Sequence, residues 1–176
     1  MDFIAIAKKR YSVRGFLDKP IEKEKLDKLA IAASLTPSAC NSQPWRIVII
    51  QNKELLPTVI ECGRFLGSNQ FLKTAQAVLI VIETKAILNE RIKDKVDSQR
   101  FVAQDLGALI YGVCLEASTL GIGSCIIGMF NEKILAPIVK LKDSEKIFGY
   151  IGLGYPLSND IPNKIRKPLK DIYEII

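Results

Sequence analysis

Apolar positions recur along the chain with two different periods, and the switches between them divide the sequence into elements. Behind Asp2, the residues Phe3, Ile4, Ile6 and Ala7 give 2–9 the pattern of a short helix with an acidic N-cap. Leu26, Leu29, Ala30 and Ala33 return at three- and four-residue steps with charges between them, which predicts a helix over 22–35. Pro37 ends it, because the proline ring disfavours helical geometry in the residue before it. Two runs are short and rich in β-branched residues. Ile47-Val48-Ile49-Ile50 predicts a strand over 45–50, and Val78-Leu79-Ile80-Val81-Ile82 a buried strand over 77–83. Residues 53–63 read as a helix. Residues 87–99, charged and amphipathic, read as a helix or a mobile flap.

The longest predicted helix, 99–120, is apolar nearly all round in its middle, with Leu106, Ala108, Leu109, Ile110, Val113 and Leu115. A helix without a polar face must be buried. In a chain this short, burial on every side points to a subunit interface. Beyond it, 121–129 reads as a turn into a strand or extended segment. A helix over 131–139 follows, with Asn131 as its cap, then a strand over 146–153. A basic, Pro-containing stretch, 160–170, leads into a short apolar tail. The order is α-α-β-α-β-α-α-β-α-β, with no internal repeat or linker. It predicts one domain, 1–176, of α+β or three-layer α/β sandwich architecture.

Composition narrows the chemistry. The chain has 176 residues, 48% hydrophobic and 25% charged, enough for one packed core and too apolar to be disordered. Its mean hydropathy of +0.17 again points to apolar surface between subunits. There is no histidine. That excludes Ser-His-Asp and Cys-His catalysis, HExxH zinc chemistry and a histidine general base. Cys40, Cys62, Cys114 and Cys125 form no CxxC pair, so no metal site is expected, and free thiols in a reducing cytoplasm are. Lys8-Lys9-Arg10 follows the first apolar stretch rather than preceding it, unlike a secretory signal. The apolar run 106–115 is short of the roughly 20 residues a bilayer needs. A cytoplasmic protein with no membrane partner is expected. The formal charge of +6 suits a phosphate-bearing ligand. Nucleic-acid binding would rest on that charge alone, since no RNP, zinc-finger or helix-turn-helix signature is present. No nucleic-acid partner is expected.

Four segments carry candidate chemistry. Arg10, Ser12 and Arg14 alternate, which in an extended segment puts two guanidiniums and a hydroxyl on one side, fit for a phosphate or another electron-rich ligand. A solvated basic stretch is the plainer reading of the same residues. Pro37-Ser38-Ala39-Cys40-Asn41-Ser42-Gln43-Pro44-Trp45 is a small, amide-rich loop running into a strand. Its amides could read a heterocycle edge, or simply bond local backbone. Gly121-Ile122-Gly123-Ser124-Cys125-Ile126-Ile127-Gly128 lacks the spacing of a dinucleotide fingerprint. It suits a helix C-cap at Gly121 and a backbone passing close to something flat at Gly128. Lys164 and Arg166 alternate near the end of the chain, as a basic tail or as a second arm on the ligand of Arg10. Nothing in the sequence brings the two arms together.

In this order, the motifs Arg10-Tyr11-Ser12-Val13-Arg14-Gly15-Phe16, Pro37 to Trp45, Leu120-Gly121-Ile122-Gly123-Ser124-Cys125 and Lys164-Ile165-Arg166-Lys167-Pro168 resemble the nitroreductase family of FMN-dependent enzymes. The resemblance spans nearly the whole chain. It implies an α+β fold, a three-layer α-β-α sandwich, in an intertwined homodimer with FMN at the interface. By position it makes Arg10, Tyr11, Ser12, Arg14, Lys164 and Arg166 cofactor-binding. Arg10, Lys164 and Arg166 would reach the phosphate end, and Arg14 the N1/C2=O edge of the ring. Pro37, Ser38, Ala39, Asn41 and Gln43 would come from the other subunit. Ile127 and Gly128 would lie beside the ring. The implied reaction takes a hydride from NADH or NADPH onto flavin N5 and passes electrons to a small electron-poor acceptor such as a nitroaromatic or quinone. The cofactor carries the chemistry, so no side chain is assigned as catalytic. A low-turnover flavin-binding protein, a sensor or FMN reservoir, is the alternative. Ile126 stands where the family often has a large aromatic and Met129 where it often has Gly. Cys40 and Cys125 flank expected flavin contacts, and filling space is the expectation for both.

Overall fold

Four antiparallel strands, β1 (Trp45–Ile50), β2 (Ala77–Glu83), β3 (Gly123–Ile127) and β4 (Lys146–Gly154), form a sheet in the order β1-β2-β4-β3. The computed structural model describes residues 2–89, 91 and 96–176. The helices are α1 (Phe3–Lys9), α2 (Lys23–Ser34), α3 (Leu56–Gly63), α4 (Val102–Thr119) and α5 (Glu132–Ile138).

β2 explains the layering. Its side chains alternate between two cores, as strand geometry requires. Ala77, Leu79 and Val81 pack with Leu26, Leu29 and Ala33 of α2 and with Leu106, Leu109 and Val113 of α4. Val78, Ile80 and Ile82 face Val59 and Ile60 of α3 and Leu135 of α5. A strand buried on both faces needs an unbroken apolar run, and this one has it. The fold is therefore α+β, with helices on both sides of an antiparallel sheet. In the second core, the hydroxyl of the fully buried Tyr150 donates to the Val59 carbonyl at 3.0 Å, which satisfies the one polar group of that side chain.

Three expectations are refined. The helix expected over 53–63 starts at Leu56, because the Asn52 side chain accepts the amides of Glu54 and Leu55 and holds a turn there. Pro57 then fits the first helical turn, where its missing N–H costs nothing. The helix expected over 99–120 is a 3₁₀ turn, Ser98–Phe101, followed by α4. With that turn, the helix is long and apolar enough to cross a membrane by length and composition, but it packs its buried side on the sheet. Its burial is one-sided within one chain: Ala103, Gln104, Gly107, Ala108 and Tyr111 are exposed. Of the helix or flap expected over 87–99, residues 90 and 92–95 lie outside the described residues, and 87–89 are not helical.

One ion pair ties β1 to the segment between α5 and β4. Arg46 of β1 donates from Nε and Nη2 to the two carboxylate oxygens of Glu145, at 3.0 and 2.8 Å, and from Nη2 to the carbonyls of Val139 and Lys140. This arrangement holds the Glu145 carboxyl at about 2, below its usual 4.5. A carboxylate with a depressed folded value contributes stability above its unfolded value and loses it as pH falls through the folded one. The expected result is a melting temperature that declines between about pH 4.5 and about 2, with part of that decline absent in Glu145→Gln. Glu22, held at about 2 chiefly by the Tyr155 hydroxyl, contributes in the same window and accounts for some of the remainder. Thermal melts of both proteins from pH 7 to pH 2 check this; parallel profiles would contradict it.

Candidate functional site

The free edge of β3 is where the basic N-terminal segment lies. Ser12 bridges to Ser124 in parallel, and the Val13 amide donates to the Ser124 carbonyl at 3.0 Å. Further along, Leu157 donates to the Gly15 carbonyl, and Leu17 to that of Tyr155. Ser12 and Val13 therefore cover part of a strand edge that would otherwise be open, and residues 15–17 run against the segment that follows β4. Two glycines admit them. A Cβ on Gly123 would stand 2.7–2.9 Å from Val13, and one on Gly154 2.7–2.8 Å from Phe16. The sequence thus fastens Val13 and Phe16 of this segment into the core. Arg10 and Ser12 stay half-buried and Arg14 exposed.

Behind β3, Gly121 takes a φ of +74° just past α4. Its amide donates to the Ser118 carbonyl and that of Ile122 to Ala117, a complete Schellman cap. The C-cap reading of this glycine is therefore correct. At the other end of β3, a Cβ on Gly128 would meet nothing within 4 Å, so the backbone there faces open space.

The structure joins the two basic arms that the sequence leaves apart. Lys164 donates from Nζ to the Ala7 carbonyl at 2.6 Å and to the Arg10 carbonyl, capping the C-terminal end of α1. Burial lowers the pKa of its ammonium, and the charges of Arg10 and Arg166 lower it further. Three cations therefore gather at one place. Like charges so placed suit a multiply charged anion. Tyr11 donates its hydroxyl to the Ser158 carbonyl at 3.4 Å and packs against the second core. A cleft of about 120 Å³ opens beside Arg10, Tyr11 and Val13. Ser118, Ser124 and Ser158 close it, and neither Ser12 nor Arg14 lines it.

Cys125, in the middle of β3, lies within reach of this charge. Burial pushes its thiol up, while Arg14, Arg10 and a hydrogen bond with Ser12 oppose that. Cys114 of α4 is pushed up too, chiefly by burial. Both stay protonated thiols, which are poor nucleophiles. Among the described residues, no three His, Cys, Asp or Glu side chains gather as metal ligands.

The amide loop is elsewhere. Cys40, Asn41 and Gln43 have φ of 53°, 53° and 46°. Left-handed non-glycine residues cost on the order of 1–3 kcal/mol each and cluster at functional sites. The Gln43 side chain donates to the Asn41 carbonyl, so the local-backbone reading holds for Gln43. The Ala39 amide donates to both carboxylate oxygens of Asp105, at 3.3 and 3.2 Å, in the first turn of α4. The cleft beside Arg10 is lined instead by Ser118, near the last turn of the same helix. At 1.5 Å per residue those two levels of α4 are about 20 Å apart. Within one chain, Pro37, Ser38, Ala39, Asn41 and Gln43 are thus not brought to the cations, whereas Arg10, Lys164 and Arg166 are brought together. The roles of Asp105, Gly123 and Gly154 were not visible in the sequence, because their partners are 66, 110 and 138 residues away.

Comparison with known proteins places the chain in a family. A family model for the nitroreductase family matches residues 7–64 and 63–155. A protein of Archaeoglobus fulgidus with a provisional NADH dehydrogenase/NAD(P)H nitroreductase name is 30% identical, over 94% of this chain and 86% of its own length. A nitroreductase family protein of Clostridium difficile 630 superposes with a TM-score of 0.82 at 27% identity, covering 99% of this chain and 98% of that one. A structure described as an FMN-dependent nitroreductase of Clostridium difficile R20291 does so with 0.71 at 28% identity, covering 96% and 94%. With the family model matching most of the chain and the relatives matching nearly the whole fold, the chain belongs to the nitroreductase family.

Proposed function

We propose that this chain is a single FMN-binding domain that works as an FMN-dependent oxidoreductase, passing electrons from NADH or NADPH to a small electron-poor acceptor such as a nitroaromatic or quinone. The observation that carries this reading is the seating of the Lys164 ammonium on the Arg10 carbonyl, which brings the basic arm that also carries Arg166 to the segment beside β3. That cluster fits a phosphate dianion. Arg14 and the open backbone at Gly128 extend from it along β3, a fit for a long ligand with a phosphate at one end and a flat ring at the other. Bound FMN would supply hydride and electron transfer, and the protein would orient the ring and tune its charge. Arg10, Lys164 and Arg166 would hold the phosphate, Ser12 the polar chain, and Arg14 the N1/C2=O edge. Tyr11 would brace the segment from behind, and Ile127 and Gly128 would lie beside the ring. No protein side chain need exchange a proton.

The separation of the amide loop from the cations supports a homodimer in which Pro37, Ser38, Ala39, Asn41 and Gln43 of one subunit complete the site of the other. Surface area points the same way. The chain exposes 10972 Å². A folded monomer of this mass exposes about 8,600 Å² by size scaling. The difference falls in the range of obligate dimer interfaces. Exposed apolar residues that such an interface would cover include Phe3, Ile4, Tyr111 of α4, and Leu169, Ile172 and Ile176 of the terminal arm. A cytoplasmic location accords with the four free thiols.

The test is the absorbance spectrum of the purified protein before and after anaerobic NADH or NADPH. A flavin band near about 450 nm that bleaches, and returns on adding a nitroaromatic or quinone, is the expected result. A band that does not bleach would favour the low-turnover flavin-binding protein. A protein that stays colourless after FMN is added would remove the oxidoreductase reading.

A further inference from the structure

We infer that Asp105, at the start of α4, is a positioning residue: its carboxylate sets the pose in which the loop 37–43 presents its amides to the flavin. The inference rests on the proposed function, in that the loop is read as a flavin contact.

The loop holds an unfavourable backbone without packing to enforce it. Cys40, Asn41 and Gln43 are left-handed and exposed. Most of its hydrogen bonds only curl it upon itself. Asn41 donates to the Ser38 carbonyl, Ser42 to that of Ala39, Gln43 to the Ser38 hydroxyl, and the Gln43 side chain to the Asn41 carbonyl. Such bonds fix the shape of the turn and leave its direction open. Next along the chain, the Trp45 amide at the start of β1 donates to the Gln43 carbonyl at 2.7 Å. Among the described residues, the ties of 38–43 to more distant parts of the chain come from Ile87 and Asp105. The Ile87 amide donates to Ser42 Oγ at 2.7 Å, from a segment with no regular structure. The Ala39 amide donates to both oxygens of Asp105, on a helix whose inner side is locked in the core. β1 therefore fixes the loop's exit at Gln43, and the carboxylate bond ties its entry at Ala39 to a rigid element distant in sequence.

The chemistry favours a carboxylate at this position. Asp105 is half-buried in the first turn of α4, where the helix dipole stabilises its negative charge. An ionised acceptor makes a stronger bond than a neutral one, and its two oxygens share the single N–H of Ala39. That N–H opens the short turn Ala39–Asn41, so its direction is passed to the strained residues that follow. Asn at 105 would keep one acceptor and add an N–H₂ group with nothing to offer the amide.

Three proteins, wild type, Asp105→Asn and Asp105→Ala, test this. Hydrogen exchange is read in the FMN-free proteins; FMN affinity, visible circular dichroism and reduction potential are read in the loaded ones. In Asp105→Ala the expected result is at least tenfold faster exchange at residues 39–43, with exchange in the sheet unchanged. FMN binding should weaken about tenfold, with an altered flavin dichroism and a shifted potential, and Asp105→Asn should fall between. Unchanged loop exchange, or faster exchange throughout the sheet, would overturn the inference, the latter marking a merely structural residue. Faster loop exchange with unchanged FMN affinity and dichroism would overturn it as well, since the loop's pose would then not matter to the flavin. Wild-type protein that takes up no FMN, yet shows the exchange effect in the variant, would sink the functional reading and leave Asp105 as the loop's anchor.

Discussion

Arg10→Ala is expected to weaken FMN binding by about one to two orders of magnitude. Charge-assisted hydrogen bonds to an anion are worth about 1.5–3 kcal/mol, and each 1.4 kcal/mol is a factor of ten in affinity. The substitution is clean for a structural reason. Lys164 binds the backbone carbonyl of residue 10, which any residue supplies, so the cap on α1 and the placement of Lys164 survive. The loss then reports on the guanidinium. The remaining cations, Lys164 and Arg166, should leave a weaker site whose affinity still falls as salt is added. Titrating FMN into the FMN-free proteins, followed by quenching of flavin fluorescence, measures this. Equal affinities for wild type and variant would remove Arg10 from the phosphate site. If Arg166→Ala then weakened binding, the anion would belong to the C-terminal arm instead.

Arg14→Ala is expected to lower the flavin's two-electron reduction potential by about 30–60 mV, where 30 mV corresponds to about 1.4 kcal/mol. A fixed cation at the N1/C2=O edge favours the ring once it carries negative charge, and the orientation is set before the reaction begins. Arg14 is exposed, so solvent screens part of its charge and keeps the expected shift moderate. Its charge does reach inward, since it acts on the Cys125 thiol against burial. Arg14→Lys keeps the charge without the planar fork and should recover most of the potential but not all of the affinity. Equilibration of the loaded enzymes against a redox dye gives the potentials. A potential in Arg14→Ala equal to that of wild type would refute the electrostatic role, whatever happened to affinity.

Much of the fold was legible because its signals are local. The β2 run of five apolar residues announces a strand buried on both faces. The spacing of Leu26, Leu29 and Ala33 announces α2, and all three are buried. Asp2 and Asn131 cap their helices as read, Asp2 accepting from Ile4 and Ala5, and Asn131 from Ile134. The start of α3 was misplaced because the Asn52 side chain holds a turn at Glu54 and Leu55 ahead of the helix, and periodicity does not register a side-chain bond. α4 was read as buried all round. One chain buries only the side toward the sheet and leaves Gly107, Ala108 and Tyr111 exposed, the stripe that the proposed second subunit would cover.

The candidate site divides along the same line. Arg10, Ser12 and Arg14 were legible as one face of an extended segment because alternation is a property of three neighbouring residues. The sequence by itself determined the elements and their order apart from the helix expected over 87–99, the two apolar faces of β2, and the residue types proposed to hold a phosphate and a flat heterocycle. Tertiary structure alone decided that Lys164 and Arg166 join Arg10, that Gly123 and Gly154 make room for Val13 and Phe16, and that the amide loop is tied to Asp105 at the far end of α4. Each of these contacts joins residues tens to more than a hundred positions apart. Periodicity, capping and turn preference act over a few residues, so they leave no mark of such a contact; it exists only once the sheet order β1-β2-β4-β3 has folded those segments together.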